Sequence, residues 1–165
     1  MAFLCPVSLA ARGFHLRAEA EADLVALRRL FVRHRWEEFA SLPWEDSAKE
    51  AFLGSQFDIQ HRQYAAYPCP QLLILADGDG LVGRLYLAAD GDGIRLVDIT
   101  LDPDRSGQGI GGALLTGVQD WAGVQGRIVS LHVDKANSGA LALYLRLGFR
   151  VTGDAGLSWA MAWAA

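Results

Sequence analysis

Arg105-Ser106-Gly107-Gln108-Gly109-Ile110-Gly111-Gly112, together with what flanks it, decides how this chain folds. Upstream, Gly93-Ile94-Arg95-Leu96-Val97-Asp98-Ile99-Thr100-Leu101 is a run of strand formers. Pro103 closes it, because proline has no N–H to give to a ladder. Downstream, Ile110, Ala113, Leu114, Val118 and Trp121 recur at helical spacing. The order is strand, glycine-rich turn, helix. Glycines let the backbone turn with no Cβ in the way, so several N–H groups can face one concavity. The helix adds its unpaired first N–H groups and the positive end of its dipole. Such a stretch is an anion site, suited to a phosphate or pyrophosphate.

Three phosphate-binding loops have this outline. A nucleoside-triphosphatase loop needs a Lys-Ser/Thr pair at its end, and Gly111-Gly112-Ala113 offers neither. Gly107-Gln108-Gly109-Ile110-Gly111-Gly112 satisfies the dinucleotide pattern G-x-G-x-x-G, with Asp134 near the place of a ribose-binding acid. That fingerprint follows its strand in one tight turn, whereas Asp102-Pro103-Asp104-Arg105-Ser106 intervenes here. The third reading is coenzyme A. The segment from Leu101 to Leu115 resembles the cofactor loop of the GNAT superfamily of N-acyltransferases, Gln/Arg-x-x-Gly-x-Gly/Ala after a strand and a Pro-containing link. Ser106 stands where the family has Gln or Arg. This leaves the backbone cradle and puts one side-chain contact to the pyrophosphate in question, with Arg105 as another source of charge.

A second block is similar to the family's other cofactor segment, Asn-x-x-Ala-x-x-x-Tyr-x-x-x-Gly-Phe: Asn137, Ala140, Tyr144, Gly148 and Phe149 occupy its fixed positions. The resemblance covers about residues 70 to 153, with the two blocks in the family's order. It implies a central mixed, largely antiparallel twisted sheet of about six or seven strands flanked by about four helices, an α/β (α+β) architecture. It also implies one acyl-CoA N-acyltransferase domain over residues 1–165, using acetyl-CoA and no metal and releasing coenzyme A.

The composition fits. The chain has 165 residues, 52% hydrophobic and 21% charged, with a net charge of −4. That balance argues against sequence-independent nucleic-acid binding and offers no basic membrane patch. Cys5 and Cys69 have no metal or redox spacing, so a reducing cytoplasm is expected. The opening Met1 to Ala10 is apolar but lacks a basic start and contains Pro6, unlike a signal peptide. No run approaches the length that spans a bilayer.

Phe14-His15-Leu16-Arg17 reads as a first strand. Leu24, Leu27, Leu30 and Phe31 mark a helix face, opened by Glu19, Glu21 and Asp23. Asp46-Ser47 caps a second helix to about Tyr64, with Ala51, Phe52, Ser55 and Ile59 on one side. Strands 72–76, 81–88 and 93–101 follow as a meander, turned by Asp77-Gly78-Asp79-Gly80 and Asp90-Gly91-Asp92-Gly93. These aspartate-glycine tracts lack the ligand spacing and closing glutamate of a calcium loop. Residues 127–133 form another strand, and 149–151 with 157–163 a last hairpin.

Acyl transfer to an amine needs a proton acceptor, a held thioester, an oxyanion donor and a proton for the leaving thiolate. By the resemblance, Ser106, Gly107, Gln108, Gly109, Ile110, Gly111 and Gly112 hold the pyrophosphate. Ile99, Thr100 and Leu101 bind the pantetheine arm through backbone groups of a strand that a bulge splays from its neighbour. Asn137 bonds the arm or the loop, or caps its helix. Tyr144, on the family's tyrosine position, is the proton donor; its other reading is a packed ring. Asp98, in mid-strand, is the candidate base, or a carboxylate paired with Arg84. His132 is the rival base, or a structural histidine. The amine, on a small molecule or peptide, enters opposite the cofactor arm past Trp36, Trp44, Phe57, Tyr64, Tyr67 and Trp159. Glu37, Glu38, Glu45 and Asp46 are available to an ammonium group. Trp159 and Trp163 are compatible with a homodimer. A coenzyme A-binding sensor without catalysis is the alternative on the same fold.

Overall fold

The computed structural model describes residues 2–165, so Met1 of the apolar opening stretch lies outside the described residues. Seven strands form one sheet in the order β1-β2-β3-β4-β5-β7-β6. They are β1 (His15–Ala18), β2 (Gln71–Asp77), β3 (Gly80–Asp90), β4 (Gly93–Leu101), β5 (Val129–Asp134), β6 (Arg150–Ala155) and β7 (Ser158–Trp163). Every neighbouring pair is antiparallel except β4 with β5. Five helices flank the sheet: α1 (Val7–Ala10), α2 (Leu24–Arg35), α3 (Asp46–Ala65), α4 (Ile110–Gly123) and α5 (Ser138–Arg146). The mixed, largely antiparallel sheet expected from the sequence is thus present. The one-turn helix α1 is an addition to the four helices expected.

The sheet separates two cores. Leu73 and Leu75 of β2 face the larger, which α4 and α5 cover together with Ile94, Leu96, Val129, Leu131, Val133 and Met161. Ile74 and Ala76, of opposite parity, face the smaller core of Leu27, Phe31, Leu53 and Phe57 under α2 and α3. A strand buried on both faces reads as a continuous apolar run, which is what Leu72-Leu73-Ile74-Leu75-Ala76 is.

The face expected for α3 is corrected. Ala51, Phe52, Ser55 and Ile59 are exposed, and the helix instead buries Lys49, Leu53, Gly54 and Phe57. Its apolar residues wind around the axis without a dominant stripe, so spacing alone does not choose the side. Phe52 packs outward with Phe39 and Trp44. The helix begins after Glu45 with no side-chain cap bond, so Asp46-Ser47 does not cap it. Likewise Asp23 is turned away from α2: it pairs with Arg17 at 2.7 Å and accepts from the Ala20 N–H at 2.8 Å.

Two register breaks shape the middle of the sheet. Tyr86 faces Asp98, yet the next residue, Leu87, faces Leu96, so Val97 is an extra residue on β4. On the other side, Leu75 faces Gly83 and Ala76 faces Leu81, which makes Val82 extra on β3. β4 and β5 pair only at Ile94–Val129 and Arg95–Ser130. Past that point they part, and the parting opens a cleft.

Gly83 of β3 packs directly against the backbone of β4. A Cβ there would lie 2.3 Å from the Thr100 carbonyl oxygen and 2.9 Å from the Leu101 Cα, both backbone atoms. Gly83→Ala should cost about 1–3 kcal/mol in urea denaturation, as overpacking against unyielding neighbours does. Gly78→Ala, with open space around its Cβ, should change stability by about 1 kcal/mol or less. Equal effects of the two substitutions would contradict this account of the β3–β4 contact.

Candidate active site

The cleft between β4 and β5 has a volume of about 760 Å³. Its floor and walls come from the end of β4, the segment 102–107, the start of α4, the end of β5 and α5. Asp98, Ile99, Thr100, Leu101, Ser106, Gly107, Gly109, Ile110, Gly111, Gly112, Asn137 and Tyr144 all line it. Gln108 does not: its carbonyl is turned outward and accepts from Arg12 Nη2 at 3.1 Å.

The glycine loop is built as an amide cradle. Gly107 and Gly109 have φ of 75° and 72°, the left-handed region that L side chains avoid. The loop enters through a turn in which Arg105 N–H donates to Asp102 O and Ser106 N–H to Pro103 O. The next N–H bonded within the described residues is that of Ala113, which donates to Gly109 O at 3.0 Å. The N–H groups of residues 107 to 112 are therefore free donors, gathered at the positive end of α4. An ideal Cβ on Gly107, Gly109 or Gly112 would meet nothing within 4 Å, so the cradle opens into space. A diphosphate, which brings negative oxygens and no N–H, fits these donors.

Arginines brace the loop. Arg33 of α2 bonds Asp102 at 2.9 Å and Asp104 at 2.7 Å. Arg105 bonds Asp77 at the end of β2 at 2.7 Å and also lines the cleft. His34 Nε2 lies 2.5 Å from the Leu101 carbonyl and lines the cleft. Nothing in the sequence marked His34 or Arg33, since their partners lie far along the chain.

Tyr144 is buried, its ring edge-on to Phe149 at 5.6 Å between centroids. Burial, and then the negative charge of Asp98, push its phenol up to about 12. Packing and cleft-lining thus coexist in one residue. Asn137 caps α5: its Oδ1 accepts from the Ala140 N–H at 3.0 Å. It lines the cleft as well.

Asp98 is held tightly. Its Oδ2 accepts from Arg84 Nε at 2.7 Å and from Thr100 Oγ1 at 2.9 Å. Arg84 is almost fully buried, with Gln60 accepting from Nη2 at 2.8 Å and the rings of Phe57, Tyr64 and Tyr86 within 5.8 Å of its Cζ. A cation so deep requires a counter-charge, and Asp98 is it. The pairing with Arg84 offered from the sequence as the other reading of Asp98 is therefore present.

Beside this pair is a cluster that sequence reading missed. Tyr86 Oη donates to Glu19, whose other oxygen lies 2.6 Å from His61 Nε2. Burial and the Glu19 carboxylate both raise the Tyr86 phenol above its ordinary value. Tyr64 packs edge-on to Tyr86 and near Tyr67; burial first, then Asp98, push its phenol up to about 12. Of the other aromatic residues expected near the amine, Phe57 is core, Trp36 lies 5.8 Å from Lys49 Nζ, and Trp159 lies under Lys135.

Comparison with known proteins bears on the family and the fold. The model of the Acetyltransferase (GNAT) family matches residues 28–149. A mycothiol acetyltransferase of Clavibacter sepedonicus is 40% identical over 96 residues, which are 56% of this chain and 32% of that protein. The chain spans about a third of the length of the curated relatives it matches in this way. Among solved structures, the PaiA N-acetyltransferase of Thermoplasma acidophilum, in complex with coenzyme A, superposes with a TM-score of 0.69. It is 18% identical, and the match covers 92% of this chain and 99% of that one. A spermidine N-acetyltransferase of Vibrio cholerae, in complex with CoA and spermine, gives a TM-score of 0.64 at 17% identity, over 93% and 96% of the two chains. These structures share the fold.

The Arg84–Asp98 pair makes a measurable coupling. Arg84→Met should cost about 3 kcal/mol or more, because it strands a carboxylate against an apolar wall. Adding Asp98→Ala should cost less than the sum of the two single changes by about 1–3 kcal/mol. Additive costs in a chemical-denaturation cycle would show that the two groups do not depend on each other.

Proposed function

The chain belongs to the acetyltransferase (GNAT) family, and from that premise we propose that it is an N-acetyltransferase moving an acetyl group from acetyl-CoA to a primary amine. The observation that carries the reading is the row of free N–H groups at 107–112 opening into the cleft that Tyr144 and Asp98 line. Those amides would hold the diphosphate, and the backbone of Ile99, Thr100 and Leu101 would hold the pantetheine arm. When bound, acetyl-CoA supplies the activated acyl group as a thioester. The residues of the chain bind, orient and manage protons.

Tyr144 keeps its proton at Oη throughout the physiological range and can donate a hydrogen bond to a developing thiolate. Full transfer is a different matter. A phenol near 12 giving its proton to a thiolate near 8.5 runs uphill by roughly 5 kcal/mol. The role this supports is a hydrogen-bond donor to sulfur, with solvent delivering the proton afterwards. Asp98, held by Arg84 and Thr100, would take a proton from the acceptor, directly or through water. Acceptors are primary amines of small molecules or peptides. Mycothiol acetyltransferase, spermidine and PaiA acetyltransferases share the family or the fold, and fold alone does not choose among such substrates.

Tyr144→Phe should lower turnover about ten-fold or more and leave the coenzyme A Kd within about twofold. Unchanged turnover would remove the role. Because burial raises its pKa, the wild-type rate should show no fall from loss of the Tyr144 proton below about pH 11, whereas an ordinary tyrosine would begin to lose it near pH 9. An assay of released thiol against a panel of amines tests the reaction itself. A coenzyme A sensor would bind the cofactor and, in a single turnover with any amine, leave the thioester intact.

A further inference from the structure

His132 sits at the place where β4 and β5 part. The last paired residues are Arg95 and Ser130. His132 is two residues beyond Ser130, on the same side of the strand, and it lines the cleft with Asp98 and Tyr144. Its Nδ1 lies 2.5 Å from Arg95 Nη2. A guanidinium carries only donors and keeps its proton in proteins. The bond between them therefore runs one way, from Arg95 to the lone pair of Nδ1. The ring proton of the neutral imidazole is then on Nε2, and nothing among the described residues accepts from Nε2.

The ring is open to the cleft on one side, and its partial desolvation favours the neutral form. Burial and then the Arg95 guanidinium hold His132 below its usual range, opposed by Asp90, which accepts from Ser130 Oγ on the same face. On β7 its cross-strand partner is Ala160, which does not titrate. A general base needs a free lone pair at the reacting group, and the single lone pair of this ring is already bonded.

We infer that His132 is a fixed hydrogen-bond donor in the cleft, presenting Nε2–H to an oxygen of the bound reactants, with Arg95 as the positioning residue that locks this tautomer. The oxygen belongs either to the thioester carbonyl or to a carbonyl, carboxylate or hydroxyl of the acceptor amine. In both cases the contact is a donated hydrogen bond, and no proton is transferred. The kinetic part of the test rests on the acetyltransferase reading; the spectroscopic part does not.

Nitrogen NMR of the imidazole in the full chain without ligand should show Nδ1 unprotonated and Nε2 protonated from about pH 7 to 9. In Arg95→Met the titration midpoint of His132 should rise towards the ordinary value near 6.5. A protonated Nδ1 in the wild type, or a midpoint that Arg95→Met leaves unmoved, overturns the inference. In acetyl transfer, His132→Gln, whose amide nitrogen takes the place of Nε2–H, should keep kcat/KM within about threefold, while His132→Ala loses about ten-fold. A loss confined to acceptor KM identifies an oxygen of the acceptor, and a loss in kcat identifies the thioester carbonyl. Equal loss in both variants, together with disappearance of an acid limb from the pH profile, would make His132 the base and overturn the inference. Absence of any acetyl transfer by the wild type would count against the acetyltransferase reading alone, and the NMR result would still decide the tautomer.

Discussion

One extra residue in a strand, Val97, governs the rest of this structure. Opposite it, the pairing of β3 jumps from Asp98 to Leu96, and the added length bends β4. On its other side β4 keeps β5 for only two residue pairs before the strands separate. Separation of two central strands exposes backbone groups in the middle of a sheet, where a continuous ladder would have consumed them. The fold leaves them to the cleft, and the same break turns Asp98 and Thr100 towards Arg84 and α3. A cleft and a carboxylate at its edge thus follow from one insertion.

The amide cradle depends on that opening and on charge. A loop with two left-handed glycines is entropically expensive to order, and it projects donors that no other part of the described chain satisfies. Ion pairs from outside offset the cost: Arg33 to Asp102 and Asp104, and Arg105 to Asp77. Such partly exposed pairs contribute little individually, but together they tie the loop to two elements, α2 through Arg33 and β2 through Asp77. Arg33 braces the loop from α2 and Arg105 lines the cleft beside it, while the free N–H groups would bind an anion through geometry and dipoles as well as charge.

What the sequence made legible was local. Glycines at 107 and 109, a proline-ended strand before them and an apolar helix after them specify a turn whatever surrounds it. The meander was equally legible, since each Asp-Gly tract closes its own hairpin. Legibility ended where a partner far along the chain decides. The bulge at Val97 exists only relative to β3. The Glu19–Tyr86–His61 cluster joins three separate segments, and alternation within one strand identifies none of its partners; Arg84 could be named for Asp98 only as one of two readings. For α3 the failure was one of pattern: Phe52 and Ile59 are as apolar as Leu53 and Phe57, and only the packed sheet selects the inward pair. His132 was legible as a titratable residue on a strand, while its tautomer waited on Arg95.

The claim that the N–H groups of residues 107–112 grip a diphosphate can be read amide by amide. Backbone NMR with coenzyme A and, separately, with pantetheine, which has the same arm and no diphosphate, separates the loop from the rest of the cleft. The account predicts that coenzyme A moves and protects the amides of residues 107 to 112, and that pantetheine perturbs residues 99–101 while leaving the loop unchanged. Binding of coenzyme A that leaves those loop amides unmoved would contradict it.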